Sequence, residues 1–126
     1  MSTRAIRIPG PDHPITIEPY SRRVIVTLGG KTIADTNDAI ALREASYPAV
    51  LYIPRGDVDM AALERSATTS YCPYKGEASY FSIPAGGPRS IDAIWSYEAP
   101  FEAVGAIKDR LAFYPDRVDS IEERDA

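Results

Sequence analysis

The spacing of prolines and glycines is the feature that most limits what this chain can fold into. The 126 residues include eleven prolines and eight glycines, and these fall between short apolar runs. Because both residue types interrupt regular elements, this distribution favours many short elements over a few long helices. The chain length suits one domain that buries a hydrophobic core of its own.

Alternating apolar residues predict strands along most of the chain. In 24–28, Val24, Val26 and Leu28 alternate, and the Gly29-Gly30 pair that follows suits a two-residue hairpin turn. The other predicted strands are 15–18, 31–35, 49–53, 79–83, 91–97 and 117–121. Segment 39–44 fits either a strand or a helix, so the pattern leaves both open.

Two segments predict helices. In 100–112 apolar side chains recur at helical spacing, at Phe101, Val104, Ile107 and Leu111. A shorter helix is predicted at 57–65, with Asp57 or Asp59 as its cap. We therefore expect an α+β fold: a mostly antiparallel β meander or a partly closed, barrel-like sheet, with one C-terminal covering helix and a short middle helix. Residues 1–14 are expected to form an extended arm and residues 15–126 a single domain.

Composition and charge exclude several classes of protein. Hydrophobic residues are 44% and charged residues 25%, which is typical of globular domains. The net charge is −4, and the basic residues are scattered, so we do not expect nucleic acid as a main partner. No apolar run is long enough to span a membrane or to resemble a signal peptide, which predicts a cytoplasmic protein. One cysteine and one histidine exclude an internal disulfide and the usual zinc spacings.

The densest group of polar and aromatic side chains lies in 68–80. It places a thiol, a lysine and several hydroxyls around Gly76. Lys75 could favour a reactive thiolate at Cys72, although a buried structural cysteine explains Cys72 as well. Lys75 itself suits either a solvated turn or the binding of an anion. The phosphate-loop pattern is absent here.

A second candidate group is the pair of carboxylates at Asp57 and Asp59. In an extended segment, side chains two residues apart lie on one face. Such a pair can bind Mg²⁺ together with substrate phosphate oxygens, which is the geometry that nucleotidyl transfer uses. The cap of the predicted helix is the alternative role for the same residues.

The remaining candidates are one acidic residue, three aromatic residues and the single histidine. Glu44 forms either an ordinary surface pair or an inward contact with Lys75 or Arg55 beneath the aromatic face. The aromatic candidates are either core side chains or the walls of a ligand pocket; they are Tyr80, Trp95 and Tyr97. His13 lies between two prolines, which favours a position in the arm over a role as catalytic base.

Several of these segments together resemble a known family. They are 30–35, 42–44, 52–55 with Asp57 and Val58, 72–80, 95–97 and 113–114, and the most distinctive is Cys72-Pro73-Tyr74-Lys75-Gly76. Their order and spacing are similar to the family catalogued as domain of unknown function 427, also filed under a nucleotidyltransferase heading. The resemblance covers roughly residues 20–120. It implies either a common site or a shared fold-specifying polar network, built from Glu44, Arg55, Asp57, Cys72, Lys75, Tyr80 and Trp95.

Three classes of function remain open after these observations. The first is binding of a small molecule, with anionic ligands included, in a polar and aromatic pocket around 72–76. The second is an enzyme that uses Mg²⁺ for nucleotidyl transfer or Cys72 for thiol chemistry; the Gly-Ser turn that polymerase-like transferases place before Asp-x-Asp is absent. The third is a module that forms a homodimer or binds protein through an open sheet edge. The sequence leaves any cofactor unknown.

Overall fold

The computed structural model describes residues 4–125, and antiparallel strands dominate it. The strands are β1 (Ile15–Pro19), β2 (Arg23–Leu28), β3 (Lys31–Thr36), β4 (Ile40–Glu44), β5 (Val50–Tyr52), β6 (Glu64–Cys72), β7 (Gly76–Ser82), β8 (Ile94–Ser96), β9 (Ala112–Phe113) and β10 (Ser120–Arg124). Segment 39–44, which the pattern left open, is therefore mostly strand. Residues 1–3 of the expected arm and residue 126 of the expected domain lie outside the described residues.

The strands form three sheets rather than the single sheet that we expected. Their orders are β1-β4-β5, β10-β2-β3 and β6-β7-β8-β9, and every pairing is antiparallel. The meander prediction describes the last sheet, whose strands follow chain order. Isolated bridges outside the named strands pair Ala34 of β3 with Val58, and Ile53, next to β5, with Leu111, next to β9. Across residues 4–125 the sheets do not close into a barrel.

The β2–β3 hairpin forms where the sequence predicts it. Gly29 and Gly30 have φ of +60° and +76°, a conformation that strains residues with a side chain. The three alternating side chains of β2, at Val24, Val26 and Leu28, are all buried. The two-residue turn pairs Leu28 with Lys31, and the register shifts once between Val26 and Thr27, so that the apolar side chains of β2 pack into the core.

The long helix predicted at 100–112 is wrong. Only short 3₁₀ turns occur there, within Glu102–Ile107 and interrupted by non-helical backbone at Val104, and the chain is extended again by Ala112 in β9. Leu111 exchanges two backbone hydrogen bonds with Ile53, at 2.8 and 2.9 Å, which requires extended backbone at the end of the predicted helix. Val104 and Ile107 are both buried, so this kinked segment places them in the core without an α-helix.

The middle helix predicted at 57–65 is also wrong. Two single 3₁₀ turns occur instead, at Arg55–Asp57 and Met60–Ala62, and Val58 between them is extended and bridges to β3. Asp59 precedes the second turn, but its side chain caps no backbone N–H. This carboxylate lies 3.0 Å from the ammonium of Lys31 instead.

Strand β6 was not expected from the sequence. Most of its side chains are exposed, so the segment has no alternation of buried and exposed positions to mark it as a strand. It lies at the edge of its sheet and pairs with β7 through an irregular register between Arg65 and Thr69. Only its content of threonine and tyrosine, which favour extended backbone, points to this structure.

Buried apolar side chains form two clusters. The first lies around the β2–β3 hairpin and includes Val24, Ile53 and Val118. The second lies beneath β4, β7 and β8, and its members are Leu42, Tyr52, Ala78, Tyr97, Val104, Ile107 and Ala112. Among the described residues no helix is both long and apolar enough to cross a membrane.

Candidate functional site

A cavity of about 210 Å³ opens above the second buried cluster. We call it the aromatic cavity; its lining residues are Leu42, Glu44, Tyr47, Pro48, Val50, Tyr52, Lys75, Tyr80, Trp95, Tyr97 and Tyr114. Five of the candidates from the sequence lie here, namely Glu44, Lys75, Tyr80, Trp95 and Tyr97. The other three, Arg55, Asp57 and Cys72, do not line this cavity.

The turn between β6 and β7 directs Lys75 into the protein. Lys75 N–H donates to the carbonyl of Cys72 at 3.2 Å, and Phe101 N–H donates to the carbonyl of Lys75 at 3.1 Å. Gly76 follows with φ of +107°, and a β-carbon there would meet the backbone oxygen of Ala99 at 3.4 Å. The turn is thus held against the segment after β8, and the lysine side chain points inward rather than to solvent.

An ion pair forms the polar end of the aromatic cavity. The Lys75 ammonium donates to one carboxylate oxygen of Glu44, and His13 Nε2 lies 2.7 Å from the other. The side chains of Lys75 and Glu44 are only 11% and 16% exposed. Burial raises the pKa of Glu44, but the hydrogen bonds from Lys75 and His13 outweigh it, so the pKa lies below its ordinary value. The Glu44 carboxyl group is therefore ionised at neutral pH.

His13 connects this ion pair to the N-terminal segment. Its ring stacks on Tyr74 with centroids 4.0 Å apart and planes inclined by 7°. Arg7 N–H also donates to the carbonyl of Pro73 at 2.9 Å, so residues before β1 lie along the β6–β7 turn. His13 is thus a positioning residue for Glu44, a role that its two flanking prolines did not suggest.

Aromatic side chains from strands β5, β7 and β8 and from connecting segments wall the aromatic cavity. Tyr80 and Trp95 are directly paired across β7 and β8. Trp95 Nε1 donates to the Tyr52 hydroxyl at 3.3 Å, and the Trp95 ring lies 4.5 Å from that of Tyr114. The Lys75 ammonium lies 6.0 Å from the ring centroid of Tyr97, at the limit of a cation–π contact.

Hydroxyl groups add hydrogen-bonding capacity to these walls. Burial raises the pKa of both Tyr52 and Tyr97, so both phenols stay protonated and can donate at neutral pH. The Tyr80 hydroxyl lies 2.8 Å from Ser70 Oγ. The side chain of Tyr97 also lines the aromatic cavity.

Arg55 belongs to a separate cluster. Its guanidinium donates to Glu98 at 3.1 Å and to Ser96 Oγ at 3.0 Å, and Arg65 donates to both carboxylate oxygens of Glu98. The hydrogen bond from Arg65, with a further one from Arg55, lowers the pKa of Glu98 to about 2 despite partial burial. This cluster stabilises the packing of neighbouring elements and contributes nothing to the aromatic cavity.

The two carboxylates proposed for Mg²⁺ have different partners. Thr36 Oγ1 donates to Asp57 at 2.7 Å, whereas Asp59 pairs with Lys31. Within residues 4–125, no group of three or more His, Cys, Asp or Glu side chains is placed to hold a metal ion. Asp57 and Asp59 therefore each contact a partner of their own, Thr36 and Lys31, rather than a shared one.

Cys72 is half-buried and packs against the second cluster. The lysine expected to activate its thiol is paired with Glu44 instead. The geometry thus favours a packing role for Cys72 over thiol chemistry.

Three lining tyrosines were not among the sequence candidates. Tyr47, Tyr52 and Tyr114 come from separate parts of the chain, and only the packing of the sheets brings them together. A weak signal existed for two of them, because 52–55 and 113–114 belong to the segments that carry the family resemblance.

The comparisons with known proteins agree with that resemblance. A search of curated proteins finds no match for this chain. A family model described as a domain of unknown function, DUF427, and named NTP_transf_9, matches residues 16–124, which include every strand except the first residue of β1. The chain therefore belongs to the DUF427 family.

Proposed function

We propose that this protein binds a small organic molecule in the aromatic cavity, with a carbonyl or carboxylate oxygen of the ligand facing Lys75. One observation carries the proposal: a buried ion pair and several aromatic side chains, separated widely along the chain, converge on a single concave volume. Ligand sites in proteins are typically concave and mostly apolar, with a few convergent polar groups.

Lys75 is the principal polar anchor in this proposal. An ammonium group carries three donors, and the Glu44 carboxylate accepts from it. The remaining donors, together with the phenol of Tyr97, are available to an acceptor oxygen of a ligand. The Glu44 carboxylate offsets the charge of the ammonium group, so the site suits an acceptor group better than a multiply charged anion.

The size of the aromatic cavity supports a small ligand. Its volume of about 210 Å³ lies below the range of about 300–1,000 Å³ that is usual for drug-sized ligands. A nucleoside triphosphate would exceed this volume and would bring several negative charges to a lysine that is already paired. Nucleotidyl transfer is therefore less well supported than binding of a compound with one ring or a short chain.

A thermal-shift screen tests the proposal. Purified protein is heated with a library of small carboxylates, amides, aldehydes and single-ring aromatic compounds, and with nucleotides in the presence and absence of Mg²⁺. A ligand that binds only the folded state raises the melting temperature in proportion to the logarithm of its concentration. We expect hits among the small oxygen-bearing compounds, and we expect Lys75→Met to remove their effect.

Lys31→Met provides the matched control. It removes a lysine that also pairs with a carboxylate, at Asp59, but lies outside the aromatic cavity. This variant should respond to ligand like the wild type. Tyr97→Phe removes one hydroxyl without deleting an ion pair, which keeps the test valid if Lys75→Met folds poorly. A wild-type protein that responds to none of the compounds, or equal responses in all variants, would contradict the proposal.

A further inference from the structure

A second cavity of about 360 Å³ adjoins the aromatic cavity. We call it the aliphatic cavity; its lining residues are Val24, Val26, Ala49, Val50, Leu51, Ile53, Trp95, Phe113, Pro115, Ile121 and Glu123. Val50 and Trp95 line both cavities, so the two volumes lie on either side of these side chains. The indole of Trp95 therefore forms part of a common wall.

The chemistry of the aliphatic cavity differs from that of its neighbour. Its floor consists of core side chains from β2, where Val24 and Val26 are fully buried, and from Ile53 beside β5. Apolar side chains, both aliphatic and aromatic, supply most of the remaining wall. Of the lining residues only Glu123 is charged, and it is exposed. Such a lining favours a hydrocarbon group and offers few partners to a sugar or a phosphate.

We propose that the ligand is amphipathic: its oxygen-bearing head occupies the aromatic cavity at Lys75, and an alkyl chain passes Val50 and Trp95 into the aliphatic cavity. This inference rests on the proposed function and adds the class of ligand to it. Two adjoining volumes, one polar and aromatic and one aliphatic, match the two ends of such a molecule. Each methylene that leaves water for the aliphatic cavity contributes favourably to binding.

A chain-length series tests the inference. Straight-chain carboxylates from acetate to decanoate, and the primary amides of the same lengths, are titrated into the full-length protein by calorimetry. Once the chain passes Trp95, we expect the dissociation constant to fall about fourfold for each added methylene, until the aliphatic cavity is filled. The two series share the acceptor oxygen, so their comparison reports whether the head must be charged.

Two variants locate the tail. Ala49→Phe adds a ring from a half-buried position on the wall of the aliphatic cavity, and Ile121→Trp fills it from edge strand β10 on another side. Either variant should weaken binding of octanoate at least tenfold and leave binding of butyrate unchanged. Because the substitutions come from different elements, failure of one to fold leaves the other informative.

The outcomes separate this inference from the proposed function. Butyrate binding that depends on Lys75, with no gain from longer chains, would overturn the inference and leave the proposed function standing. Affinity that rises with chain length but is the same in Lys75→Met would overturn both, because the tail alone would then bind. No binding in either series, while other small compounds raise the melting temperature, would overturn the inference alone.

Discussion

The Lys75–Glu44 pair is the contact on which most of the candidate site depends. Both side chains are largely buried, and each carries a full charge that only its partners offset. Removing one charge leaves the other buried without its partner. The resulting loss of stability is larger than the net stabilisation that the intact pair contributes. This asymmetry makes the pair testable without any ligand.

We predict that Lys75→Met lowers the free energy of unfolding by about 2 kcal/mol. Glu44→Gln should have a smaller effect, since it leaves a lysine that can reorient toward solvent. The double variant should be less destabilised than the sum of the two single variants. Urea denaturation of the four proteins measures this coupling. Strict additivity would show that the two side chains do not interact in solution.

At the scale of single elements, the 3₁₀ segment Pro84–Ser90 depends on a glycine. A β-carbon at Gly86 would lie 2.5 Å from Ser90 Cβ and 2.9 Å from Leu28 Cδ2. Ser90 is fully buried, and its hydroxyl donates to the carbonyl of Arg117 at 2.8 Å, so it cannot move aside cheaply. The close approach of these elements therefore needs a residue without a side chain.

We predict that Gly86→Ala lowers the free energy of unfolding by about 2 kcal/mol, because it overpacks this contact. Gly105→Ala is the matched control. A β-carbon there meets no atom within 4 Å, and the backbone is not in the left-handed region, so we expect little change or slight stabilisation. Chemical denaturation of both variants gives the comparison, and equal stabilities would contradict the packing argument.

The cluster around Glu98 connects β6, the Arg55–Asp57 turn and the end of β8. Its hydrogen bonds with Arg65 and Arg55 lower the pKa of Glu98 to about 2. A carboxyl whose pKa is lower in the folded state stabilises the protein above its ordinary pKa. As the pH falls from about 4.5 toward 2, the Glu98 carboxyl group takes up a proton in the unfolded chain before it does so in the folded protein. The stabilisation is therefore lost over this range.

We therefore predict that the urea midpoint falls between pH 5 and pH 2.5, and that Glu98→Gln makes this fall shallower. The dependence should not vanish, because the pKa values of Glu44, Asp35 and Asp119 are also lowered by their partners. Midpoints measured at several pH values for both proteins test this. Parallel curves would mean that Glu98 has an ordinary pKa in the folded protein.

Turn chemistry and strand alternation predict elements here more reliably than helical spacing does. Gly29 and Gly30 determine a hairpin locally, and the apolar alternation of β2 agrees with it. The helical spacing of apolar residues in 100–112 predicts a helix wrongly, because spacings of three and four residues also arise in a 3₁₀ turn followed by a strand. The pairing of Leu111 with Ile53, more than fifty residues apart, makes the backbone extended at Leu111, and no local pattern encodes this contact.

At the scale of the whole molecule, the packing of sheets decides which candidates meet. Glu44 ends β4 and Lys75 precedes β7, and the inward contact between them was one of two arrangements that the sequence allowed. The sequence could not separate Arg55 from Lys75 as a partner for Glu44, since both are cations. The contributions of Tyr52 and Tyr114 depend on the contact between sheets, which a single sequence does not reveal.

The central claim is that the aromatic cavity binds a ligand, and Trp95 reports on it directly. It is the one tryptophan of the chain, and its indole lines the aromatic cavity beside Tyr114 and Tyr52. Its fluorescence is titrated with the best compound from the thermal-shift screen. We predict a saturable change in emission whose midpoint equals the dissociation constant from calorimetry. The change should be lost in Lys75→Met and retained in Lys31→Met. A compound that raises the melting temperature and leaves the emission of Trp95 unchanged would place the binding site elsewhere and contradict the account.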